Sequence, residues 1–140
     1  AGLSFWMPIH DGDGVPKKPR TAIEAAVLLI YKSDFSGNKE TRISGGEWWV
    51  QHRMGTEGIG FHLDKDEGLA SVGSIKYPEV STVTYLTDAG GPTLIFNQTS
   101  TDAIRDEPVL PSDGCLAYPK RNRHLLFRGC LQHGVLGELA

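Results

Sequence analysis

One short stretch gathers most of the ionisable chemistry in this chain: "GIGFHLDKDEG", Gly58 to Gly68, carries His62, Asp64, Asp66 and Glu67. In an extended strand, successive side chains alternate, so His62 and Asp64 point to one face and Leu63 to the other. An imidazole and a carboxylate on one face can grip a divalent metal ion. The same pair can equally be an exposed strand end in water. A third ligand, brought alongside by the fold, is what separates the two readings.

Two histidines and one carboxylate on a β scaffold form the facial triad of non-haem iron sites. The carboxylate keeps the net charge of such a site low, the imidazoles suit a borderline metal, and the free positions accept a cosubstrate and oxygen. Four histidines compete for the third place. His10 lies in a Pro- and Gly-rich opening, His52 follows the "EWWV" run, His124 opens "HLLFRG", and His133 sits in "CLQHGVL". His133 is preferred because it closes an apolar run late enough in the chain for the last strand to return beside the first ligand strand. His124 is its rival. Asp66 and Glu67 read as solvated loop acids. On the residues alone, His62 and His133 can still be unrelated core or surface histidines.

The elements that would hold these residues are mostly strands. Residues 1–20 contain Pro8, Pro16 and Pro19 and three glycines, and are expected to form an irregular arm. "TAIEAAVLLIYKSDF" predicts a helix over about 21–33. Thr21 and Glu24 have capping-box spacing, and Ile23, Ala26, Val27 and Ile30 recur at i, i+3, i+4 and i+7. That stripe suggests a helix packed on the outside of a core. From there the period shortens. "EWWVQHRM", "GIGFHLD", "STVTYLTD", "PTLIFNQ", "GCLAYP", "HLLFRG" and "LQHGVL" are short, rich in β-branched and aromatic residues, and bounded by Gly, Pro, Asp and Asn. The expectation is a mainly β fold with a flanking N-terminal helix, a jelly roll or sandwich, with its core over about 46–140 and no domain boundary. Trp48 and Trp49 are neighbours, so a strand would bury one and leave the other at the surface.

Composition narrows the class. A chain of 140 residues and 15.3 kDa, 39% apolar and 22% charged, fits one soluble globular domain. Its net charge of −3 gives no signal for nucleic acid. Lys120, Arg121 and Arg123 in "PKRNRH" read as a solvated turn. No run approaches the roughly 20 apolar residues of a membrane span. The opening residues lack the basic and apolar regions of a secretory leader. Cys115 and Cys130 fit neither a disulfide framework nor a zinc knuckle, so a reducing, cytoplasmic setting is expected.

Four motifs in order then carry a resemblance. "FHLDKDEG", "STVTYLTDAGGPTLIFNQ", "PSDGCLAYP" and "FRGCLQHGVL" together resemble the signature of the Fe(II)- and 2-oxoglutarate-dependent dioxygenases, nearest the prolyl-hydroxylase-like branch. The likeness covers about residues 47–137. It implies a double-stranded β-helix, the jelly-roll fold. It also implies Fe(II) held by His62, Asp64 and His133, 2-oxoglutarate as cosubstrate, and O2-dependent hydroxylation of a small molecule or protein side chain. Tyr85 resembles the residue that hydrogen-bonds the far carboxylate of 2-oxoglutarate, a task a phenol O–H suits. Thr82 and Thr84 are further candidates for lining the pocket. Gly90 and Gly91 are expected to be turn residues that need positive φ or close backbone approach.

The chain departs from the family at one place. An Arg or Lys normally follows the distal histidine by about ten residues and pairs with the cosubstrate carboxylate. Here Leu136, Gly137, Glu138 and Leu139 lie near that position, and the sequence stops at Ala140. The resemblance therefore implies a further strand, or an internal cation (Arg128, Arg123 or Lys76), or a different cosubstrate. A metal- or ligand-binding jelly roll without turnover is the competing reading, and a metal-free scaffold domain the next.

Overall fold

Each of the seven β-branched and aromatic runs overlaps a strand, "EWWVQHRM" only at Glu47 and Trp48, and every strand pair is antiparallel. The computed structural model describes residues 3–37, 43–100 and 109–140, with eight strands among them. Residues 101–108, within the expected core, lie outside the described residues. Contacts group the chain into two compact units, Ala1–His52 and Arg53–Ala140.

In the first unit, the opening is less irregular than expected. β1 (Phe5–Pro8) pairs with β2 (Gly45–Trp48) in register Phe5↔Trp48 to Pro8↔Gly45. Four residues crowded by prolines leave too little alternation to read as a strand. The pairing is reinforced by side chains: Phe5 stacks on Trp48 with centroids 4.8 Å apart, and the Trp6 indole lies where a Cβ on Gly45 would be. Trp48 is half-buried and Trp49 exposed, as alternation requires. α1 (Ala22–Asp34) begins at Thr21, whose side chain accepts the Glu24 N–H. Glu24 is buried, and Val27 and Ile30 of the predicted stripe are half-buried along with Ala25, Leu28 and Tyr31, whereas Ile23 and Ala26 are exposed. Glu24 is held by Arg20, which donates to it from both its backbone N–H and its guanidinium.

The second unit is built on two sheets. β3 (Ile59–His62), β5 (Thr93–Phe96), β6 (Gly114–Ala117) and β8 (His133–Val135) form one in the order β3–β8–β5–β6. β4 (Val80–Thr84) and β7 (His124–Arg128) form the other. First and last strands thus lie side by side, the return that brings distant residues together. Pro92, Ile95, Ala117 and Phe127 are buried. Phe127 reaches across to the ring of His133, centroids 4.9 Å apart, and the Tyr85 hydroxyl reaches Thr93. On the opposite face of the larger sheet, Phe61 packs on Phe96.

Two expectations about local structure change. A short helix, α2 (Glu67–Ser71), follows β3, with Asp66 as its N-cap accepting the Leu69 N–H at 2.9 Å. Asp66 and Glu67 therefore serve a helix start rather than a bare loop, and Gly68 had masked that signal. Thr82 and Thr84 do not share a face with Tyr85. In β4 the odd-numbered positions turn inward, and both threonines are exposed on the outer side. Gly90 has φ of +116°, while a Cβ on Gly91 would collide with the Leu136 carbonyl, so the pair meets both demands foreseen for it.

Candidate metal centre

The centre starts from a register fault. β3 and β8 pair Ile59 with Val135 and His62 with His133, so three steps on β3 match two on β8. A regular ladder from Ile59 would set Phe61 opposite His133 and turn His62 to the other face. The one-residue bulge reverses this and aims His62 at His133. The rings then stand 4.4 Å apart, centroid to centroid. His133 is also paired with Ile95 of β5, which holds it in the middle of the sheet. His62 lies at the sheet edge.

Asp64 completes the group. Its Oδ1 is 3.6 Å from His62 Nε2 and its Oδ2 is 3.6 Å from His133 Nε2. One ligand atom from each of the three residues falls within 4.8 Å of the others, and among the described residues this is the group of three or more so arranged. Both imidazoles are oriented by the same local device. His62 Nδ1 is 2.9 Å from the Gly60 carbonyl, and His133 Nδ1 is 3.0 Å from the Leu131 carbonyl, in each case two residues upstream. A carbonyl only accepts, so each Nδ1 carries a proton, and each Nε2, on the Asp64 side, is the nitrogen left to bind a metal once it is free of its own proton. Asp64 is held in turn by Ser81, whose hydroxyl donates to Oδ2 at 2.5 Å.

Electrostatics match that arrangement. Burial is the largest influence on Asp64 and pushes its pKa upward. The His62 imidazole 3.6 Å away, the Ser81 hydroxyl bond and the charge of the two imidazoles together outweigh it and leave the carboxyl below its ordinary value. His62 is shifted upward, chiefly by its interaction with the Asp64 carboxylate, against a smaller opposing effect of burial. Exposure is uneven: the side chain of His133 is 8% exposed, that of Asp64 20% and that of His62 42%. The group is closed at His133 and open at His62. Two imidazole nitrogens and an ionised oxygen, close together and already oriented, suit a divalent metal that displaces the imidazole protons, with positions left for other ligands.

The remaining residues singled out in the sequence lie elsewhere. His124 pairs with Thr84 across β4 and β7, its Nδ1 2.8 Å from Thr84 Oγ1, and is not part of the group. His10 bridges to Pro16 and His52 follows β2, both in the first unit. The half-buried Tyr85 places its hydroxyl 2.6 Å from Thr93 Oγ1 and donates toward the Ala117 carbonyl at 3.0 Å. Of the three cations considered, the Arg123 guanidinium donates to the Tyr118 carbonyl at 2.6 Å. Arg128 is exposed beside the inward Phe127, and Lys76 is exposed. Cys115 and Cys130 are free thiols. The residue missed in the sequence is Ser81. Its signal was the parity it shares with Val83 of β4 and with Tyr85 just beyond it, all less exposed than Thr82 and Thr84. Comparison of the chain with known protein families, curated proteins and solved structures finds no match.

Proposed function

We propose that the second unit is an Fe(II)- and 2-oxoglutarate-dependent oxygenase domain on a jelly-roll frame, hydroxylating a substrate of as yet undefined identity. The observation that carries this reading is the convergence of His62 Nε2, the Asp64 carboxylate and His133 Nε2, with both Nδ1 protons engaged by carbonyls. The strand order, with β3 beside β8 and β4 paired to β7, supports the frame. When bound, iron in such a site supplies oxygen activation and the oxidation of a C–H bond.

The protein residues have separate tasks. His133, buried between Ile95 and Phe127, anchors the closed end and keeps water from it. His62 stands at the open end, which makes the β3 edge the side of approach for cosubstrate and substrate. Asp64 supplies the one anionic ligand. Tyr85 would turn its hydroxyl to the far carboxylate of 2-oxoglutarate by giving up its present bonds to Thr93 and the Ala117 carbonyl. That donor is neutral, Arg123 is bonded to the Tyr118 carbonyl, and Arg128 and Lys76 are exposed, so this unit should hold that dianion weakly.

The test is O2-dependent conversion of 2-oxoglutarate to succinate and CO2 by the Fe(II)-loaded protein, at millimolar cosubstrate to offset weak binding. The reading expects turnover in the native chain and none after Asp64→Ala. Stoichiometric metal binding with no succinate from the native chain would favour a metal-binding domain without turnover.

A further inference from the structure

We propose that Ser81 is a positioning residue of the metal centre: its hydroxyl engages Asp64 Oδ2 and so reserves the other carboxylate oxygen for the metal, keeping Asp64 a one-oxygen ligand. The inference rests on the reading of His62, Asp64 and His133 as a metal centre.

Each of the three ligands has an outer partner. For the two histidines that partner is a backbone carbonyl, Gly60 or Leu131, which no substitution removes. For Asp64 it is a side chain seventeen residues away on the other sheet. Ser81 is 6% exposed and sits directly opposite the buried Phe127. An apolar residue would pack there as well. A buried hydroxyl is unfavourable unless it is hydrogen-bonded, and this one makes its bond to the ligand carboxylate. At 2.5 Å the contact is at the short end for an O–H donor facing an ionised oxygen, the strong class of hydrogen bond.

The consequence concerns coordination number. A carboxylate with both oxygens free can close on a metal through both, which removes one position from cosubstrate or oxygen. An oxygen already accepting a short hydrogen bond is a poorer donor to the metal, and the bond also fixes the carboxylate torsion. Ser81 therefore makes binding tighter and the site more open at once. Carbonyls could not do this, since only a donor can occupy a carboxylate oxygen.

The experiment is a Co(II) titration of the full chain, followed by calorimetry and by the visible absorption of the bound ion, which reports coordination number. Ser81→Ala should weaken Co(II) binding by about 10- to 100-fold, the range for loss of an outer-shell partner, and should change the visible spectrum. Ser81→Thr and Ser81→Val are matched in size and differ in the hydroxyl. The Thr variant should keep the native affinity and spectrum, and the Val variant should behave like Ser81→Ala. In an Asp64→Ala background, removing the hydroxyl should have no further effect, because its target is gone. Equal binding by the Thr and Val variants, or an undiminished effect without Asp64, would overturn the role of Ser81 while leaving the metal centre intact. Failure of the native chain to bind Co(II) would instead remove the centre itself.

Discussion

His62 and His133 share a geometry but not an environment, and that difference governs how the centre responds to pH. His62 is the exposed ligand and its pKa is raised by Asp64, whose own is lowered. In the metal-free chain, the raised His62 pKa stabilises the fold below its unfolded value, and that stabilisation is lost as pH rises through the folded value. The lowered Asp64 pKa stabilises the fold above its unfolded value and fails as pH falls through the folded one. The pair thus supports the fold between the two shifted pKa values. Metal binding has the opposite slope on the His62 side, because the ion must displace that proton. Co(II) affinity should fall by at least about tenfold per pH unit below the His62 pKa, because each protonated histidine ligand must first lose its proton. An affinity that stays flat as pH falls through that value would show that His62 is not a ligand. Asp64→Ala should weaken binding by more than the roughly 100-fold upper range for outer partners, whereas Glu67→Ala should leave it unchanged, since Glu67 lies in the first turn of α2. At this scale the sequence was informative. His-x-Asp places its two ligands on one face by parity, and the late position of His133 suits a returning strand. Ser81 escaped notice because a serine among threonines in β4 looks ordinary until the inward face is known.

Elements decide whether those residues meet. The bulge between Ile59 and His62 could not be read from sequence, because nothing in "GIGFH" distinguishes it from a regular strand with an ordinary glycine. Parity counted along β3 from Ile59 fails at that fault, and β3 ends at His62, so Asp64 follows the strand rather than lying within it. The six strands of the second unit were legible because each lies in a short apolar run between turn residues. β1 was not, being four residues that end in a proline, and Thr82 and Thr84, candidates for lining the pocket, lie exposed on the outer side of β4. The β3–β8 seam yields a test of its own. A Cβ on Gly134 would lie 2.8 Å from the Ile59 carbonyl oxygen and 3.0 Å from a ring carbon of Phe61. Backbone cannot move aside cheaply there, so Gly134→Ala should cost about 1–3 kcal/mol, as overpacking does, and should weaken metal binding by disturbing the strand that carries His133. Urea unfolding and Co(II) titration measure the two effects. Native stability in the variant would mean the seam is looser than this geometry.

The whole molecule places everything the centre needs in one unit. His62, Asp64 and His133, together with Gly60, Ser81, Phe127 and Leu131, all fall within Arg53–Ala140. That grouping was not legible in the sequence, where length suggested one core and no Pro- or Ser-rich linker marks His52. A chain of residues 53–140 should therefore bind Co(II) as tightly as the whole chain, and loss of binding on truncation would show that residues 1–52 support the centre. Among the described residues no helix is long and apolar enough to cross a membrane. The most direct measurement is the anomalous-scattering map of a crystal of the full chain soaked in Mn(II). The account predicts one strong peak about 2.0–2.3 Å from His62 Nε2, one Asp64 oxygen and His133 Nε2, the span usual for such ligands. A peak ligated by His124, or density at the triad without one, would contradict it.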